Sequence, residues 1–143
     1  MIVLGGGCKP QEPSKLTIVV EGKELSDAEI FIDGKPAGLL TQTIITEDGK
    51  IYIDGMLSAK LPPQHHGERE TYSGCAGSIV LKSGEHTITL RKSEVQPLQV
   101  VVNISPGHHL LTFLPEKALV KWDNTSFQIE PGKTVTIVSE NIK

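Results

Sequence analysis

Ile30-Phe31-Ile32-Asp33-Gly34 returns as Ile51-Tyr52-Ile53-Asp54-Gly55, 21 residues further along the chain. Each copy is a short run of β-branched and aromatic residues, which favour pleated, half-buried strands. Each run ends in Asp-Gly, a pair that tolerates successive positive φ angles and so closes two-residue hairpins. The echo extends over 28–40 and 49–61, so the chain states one strand–turn–strand unit twice.

Outward from this phrase the strand signal continues. Residues 16–20 (LTIVV) are apolar and β-branched, and 28–32 and 50–53 carry the repeated runs. Residues 39–46 are rich in β-branched side chains and are expected to be the strand returning from Asp33-Gly34. A second echo has three members: Ser83-Gly84-Glu85-His86-Thr87-Ile88, Pro106-Gly107-His108-His109-Leu110-Leu111 and Pro131-Gly132-Lys133-Thr134-Val135-Thr136. Each is a Gly turn that launches a strand. Residues 78–81, 85–92, 98–104 and 126–129 supply further strands. No long segment places apolar residues at i, i+3, i+4 and i+7, and the helix-permissive piece 116–122 is short. The reading is an all-β fold, an antiparallel β-sandwich of Ig-like or transthyretin-like type built from hairpins. The expected organisation is a flexible tether over 1–15, a sandwich over 16–116, and a C-terminal hairpin over 117–143 that completes or extends the sheet.

The 143 residues suit one domain able to bury its own core without a disulfide or metal. Aromatic residues make up only 4%, so the core falls to Ile, Val and Leu. The net charge of −3 is spread among interspersed signs, with no basic stripe, and nucleic acid is not an expected partner. No stretch is apolar enough to span a membrane as a helix. Leu4-Gly5-Gly6-Gly7-Cys8 looks like the end of a bacterial lipoprotein signal, although no cationic segment precedes it. Cys8 is therefore the lipidation candidate and the expected route to a membrane. The polar, Pro-containing residues 9–15 suit a tether to an anchored envelope domain.

The span 50–114 resembles a PEGA-type domain, a small β-sandwich module of bacterial envelope proteins. The likeness rests on Ile51-Tyr52-Ile53-Asp54-Gly55, Lys60-Leu61-Pro62, Ser83-Gly84-Glu85-His86-Thr87-Ile88-Thr89-Leu90, and Val100-Val101-Val102-Asn103-Ile104 with Pro106-Gly107. A partial echo lies at 27–40. The resemblance implies a sandwich that binds or spaces other parts and catalyses nothing.

Four sets of residues invite a chemical reading. The period dissolves between residues 62 and 77, and a loop that long within a domain is functional or mobile. His65, His66, Glu68, Arg69, Glu70 and Tyr72 in it are the candidates for contact with a partner. His65, His66, His108, His109 and Cys75 are the alternative, a soft-and-borderline donor set for zinc or copper. Joining them would require the loop to fold toward the 106–109 turn. Adjacent His108 and His109 on a strand should point to opposite faces. Asp33 and Asp54 read as turn residues, His86 as a structural partner of its turn, and Trp122 as core or sheet edge. Cys75 among small residues invites a nucleophile reading, but no base is paired with it in the sequence. Cys8 and Cys75 could also be free or bonded to each other. The functional expectation is a non-enzymatic cell-envelope module that needs no cofactor and contacts a protein or cell-wall component, with metal binding as the alternative.

Overall fold

The structure, a computed structural model, describes residues 14–22, 24–73, 78–130 and 132–137. Cys8, Cys75 and most of the expected tether lie outside the described residues. Strands β1 (Ser14–Val20), β2 (Glu29–Ile32), β3 (Lys35–Leu39), β4 (Thr41–Ile45), β5 (Lys50–Ile53), β6 (Met56–Lys60) and β7 (Arg69–Ser73) come first. They are followed by β8 (Ile79–Leu81), β9 (Gly84–Lys92), β10 (Val95–Ile104), β11 (Gly107–Leu114), β12 (Leu119–Trp122), β13 (Thr125–Gln128) and β14 (Thr134–Thr136). Two 3-10 turns, Pro63–His65 and Pro115–Lys117, are the helical elements among the described residues.

The strands form two sheets. One runs β13-β12-β11-β1-β7-β4-β5-β6, with β8 also paired to β1; the other runs β14-β10-β9-β2-β3. They pack face to face through Leu16, Ile18, Val20, Leu111 and Phe113 on one side and Ile30, Ile88, Leu90, Val100 and Val102 on the other. The all-β sandwich is thus as expected, with one correction. The sheets are mixed rather than antiparallel throughout, because β1 runs parallel to β11 and β10 parallel to β14. A strand with a parallel neighbour and both faces covered reads as a continuous apolar run, which accounts for LTIVV. Its even-numbered residues face the sandwich, while Val19 joins Ile45, Ile51, Leu61 and Leu110 in a smaller cluster on the opposite face.

The repeated phrase forms two matching hairpins, each with paired positive φ angles at its Asp-Gly: 53° and 82° at Asp33-Gly34, 53° and 78° at Asp54-Gly55. Both carry a bulge at the same place, between Ile30 and Phe31 in one copy and Ile51 and Tyr52 in the other. They end up in different sheets, β2–β3 at the edge of the five-stranded sheet and β5–β6 at the edge of the larger one.

Two further corrections concern chain tracing. The strand returning from Asp33-Gly34 is β3, not the 39–46 segment, which holds β4 in the other sheet. The expected irregular loop contains β7, which lies between β1 and β4 in the larger sheet. The C-terminal part extends both sheets, β12–β13 next to β11 and β14 next to β10.

Candidate functional site

Two hairpin aspartates and two G-x-H histidines form a pair of nearly identical staples. In the five-stranded sheet, Asp33 at the end of β2 takes the Thr87 N–H at 2.9 Å on Oδ1 and His86 Nδ1–H at 2.6 Å on Oδ2. Its own N–H donates to the Thr87 carbonyl. In the larger sheet, Asp123 after β12 takes the Leu110 N–H at 3.0 Å on Oδ1 and His109 Nδ1–H at 2.8 Å on Oδ2. Its N–H donates to the Leu110 carbonyl. The turn aspartate has a positive φ in both, 53° and 54°. Each histidine also directs Nε2 to the carbonyl four residues back, Lys82 at 2.6 Å and Ser105 at 2.9 Å.

Donor accounting favours the charged form of these rings. A carboxylate and a carbonyl can only accept, so these bonds call for a hydrogen on both nitrogens and favour imidazolium, most fully in His86; His109 Nε2 also lies 3.2 Å from the Ser105 hydroxyl. The His109 pKa is raised by the hydrogen bond to Asp123, against the cost of burial. Burial would lower His86, but its bonds to Asp33 and the Lys82 carbonyl prevail and raise it. Asp33 is lowered, chiefly by the Thr87 N–H. Burial would raise Asp123, yet the bonds from His109 and Leu110 hold it below the usual carboxylate range.

The Asp123 staple gathers more groups. His65, only 5% exposed, sends Nε2 to Asp123 Oδ1 at 3.3 Å. The segment carrying His65 therefore does fold toward the 106–109 strand, as a joint histidine site required. His108 and His109 diverge: His108 Nε2 lies 2.6 Å from the Thr17 hydroxyl, while His109 stacks on Trp122 with centroids 5.1 Å apart. Burial lowers both His65 and His108. His66 Nε2 donates to the Leu61 carbonyl at 3.0 Å, and its ring covers Gly49 so closely that a Cβ there would run into it. A polar cleft of about 270 Å³ opens beside the cluster, lined among others by Gln64, His65, Arg69, Lys121 and Asp123.

Several residues expected to meet a partner instead serve the fold. His65 is buried, Arg69 donates to the Gly67 and His65 carbonyls, and Tyr72 packs against the main core. His66, Glu68 and Glu70 are exposed. As a metal site the histidines do not converge: no group of three or more His, Cys, Asp or Glu among the described residues is placed to hold an ion. The sequence reading missed Asp123, because its turn continues with Asn124 rather than Gly. The available signal was the shared Gly-x-His spacing at 84–86 and 107–109.

The other distinctive surface is apolar. Cross-strand registers place Glu70, Ile44, Tyr52 and Leu57 in one lateral row over β7-β4-β5-β6. Ile44 is 49% exposed, Leu57 58% and neighbouring Met56 71%. The row ends at β6, an edge strand with no further neighbour among the described residues. No family model matches this chain, and no curated protein matches it.

Proposed function

We propose that this chain is a non-enzymatic contact module of the bacterial cell envelope, tethered through Cys8, that meets a protein or cell-wall partner. The observation that carries the reading is the exposed Ile44–Tyr52–Leu57 row beside an open strand edge. Exposed contiguous apolar surface of this kind marks interaction sites. The contact surface is accordingly the β4–β6 face with Glu70 at its border, rather than the whole 62–77 segment. The envelope placement is supported by the Leu4–Cys8 context and by the PEGA-like residues.

The meeting of His65 and His109 on Asp123 favours a second reading, metal binding. Donor chemistry weighs against it. Both nitrogens of His109 are engaged, and His65, His66 and His108 each have Nε2 engaged. An ion held by His109 would have to break the staple.

A benzophenone amino acid at position 57, illuminated in bacterial cells, tests the first reading against the same label at exposed Gln128. Discrete cross-linked adducts from position 57 alone are expected. Equal or absent labelling at both positions would overturn it.

A further inference from the structure

The β4–β6 face carries exposed apolar side chains up to an open strand edge. The row starts from an acidic residue and is otherwise apolar: Glu70 on β7, then Ile44 and Tyr52, then Leu57 on β6. Beside it, Lys50 on β5 is paired directly across from Lys60 on β6. Like charges opposite one another on adjacent strands are destabilising. The two lysines share the charge of Asp48, with Oδ2 3.6 Å from Lys50 Nζ and its carboxylate also favoured by Lys60. Lys60 stands within ion-pair distance of no carboxylate among the described residues, and Glu70 of no cation. The face therefore displays a carboxylate at one border, two lysines sharing one aspartate at the other, and apolar side chains between.

A two-fold axis lying between two such faces, along the strands and over the middle of this row, would bring the acidic border of one copy to the lysine border of the other. In an isologous interface residue i meets j and j meets i. Rotation about an axis between Ile44 and Tyr52 sets Ile44 over the partner's Tyr52 and brings Glu70 to the end holding Leu57 and Lys60. Sheets stack about 10 Å apart, a gap that long Glu and Lys side chains can bridge.

We infer that the chain self-associates as a face-to-face dimer through β4, β5 and β6, with Glu70 of each copy paired to Lys60 of the other. This rests on the reading of the chain as a contact module and names its partner.

Sedimentation equilibrium of the purified chain over a range of concentration and salt tests it. The wild type is expected to show a reversible monomer–dimer equilibrium, and Leu57→Lys to be monomeric with an unchanged far-ultraviolet spectrum. Glu70→Lys and Lys60→Glu are each expected to weaken association by about tenfold or more, since like charges then face each other. The combined Glu70→Lys/Lys60→Glu chain is expected to recover it. A wild type that stays monomeric at millimolar concentration overturns the inference, as does a dimer indifferent to Leu57→Lys or a double variant no tighter than the singles. If the chain is monomeric yet position 57 still cross-links in cells to a protein of different mass, the dimer is wrong while the contact reading stands. Loss of both results removes both.

Discussion

Asp33, Asp54 and Asp123 all sit at positive φ in hairpin turns, yet only Asp33 and Asp123 hold a histidine. Asp54 has no side-chain hydrogen bond or ion pair among the described residues. Turn chemistry alone thus does not set their worth. Asp123→Asn removes the charge that orders His109 and His65 and should cost about 2 kcal/mol, the scale of hydrogen bonds to charged groups. Asp54→Asn keeps its turn and should stay within about 0.5 kcal/mol. Urea unfolding of the two variants checks the contrast. Thr71 provides the opposite case: its Oγ1 is buried with no hydrogen-bond partner. Thr71→Val replaces that hydroxyl with a methyl and should raise stability by about 1 kcal/mol, read as a shift in the urea midpoint.

The histidines also set the pH response. His86 and His109 are raised in the fold, so their contribution is complete below the ordinary value of 6.5 and is lost as pH rises through the folded values. His65 and His108 are lowered, so theirs is present above 6.5 and lost as pH falls. A His86→Gln/His109→Gln chain should lose the decline in unfolding midpoint on the alkaline side. His65→Gln should soften the decline just below pH 6.5. Identical pH profiles in all three proteins would contradict these assignments. The Asp-Gly turns were legible because adjacent residues encode them. The staples were not, since Asp33 and His86 lie 53 residues apart and meet only through the pairing of β2 with β9.

At the scale of elements, β1 is the organiser. It pairs with β11 on one side and with β7 and β8 on the other, and it is buried on both faces. Its partner β11 carries Phe113, which is fully buried. Phe113→Ala should cost about 3–5 kcal/mol, a large share of the stability of a domain this size, and thermal unfolding would show it. β7 was illegible for a specific reason. Its fully buried residues Thr71 and Ser73 are polar, so Arg69-Glu70-Thr71-Tyr72-Ser73 lacks the apolar alternation that reveals a strand. β3 hid differently: Pro36 and Gly38 argue against a strand, but both are tolerated at a sheet edge. Parallel pairing between β1 and β11 leaves no local trace either, because parallel strands are joined by no tight turn.

For the whole molecule, two mixed sheets enclose one main core, and the larger sheet carries a second, smaller cluster under the 61–66 segment. The sandwich was readable from turn spacing and apolar content. The division of strands between sheets was not, because the two copies of the opening phrase are nearly interchangeable and only long-range packing separates them. Of the histidines that looked most like chemistry in the sequence, His109 staples a hairpin while His65, His66 and His108 hydrogen-bond within the fold, and the proposed recognition surface is the apolar β4–β6 face. That allocation is tested most directly by long-range 15N–1H NMR of the imidazole rings during a zinc titration at pH 6.5. The account predicts that His86 and His109 show both ring nitrogens protonated and that no histidine shift saturates with zinc. Saturable zinc-dependent shifts at His65, His108 and His109 would contradict it and make metal binding the function to pursue.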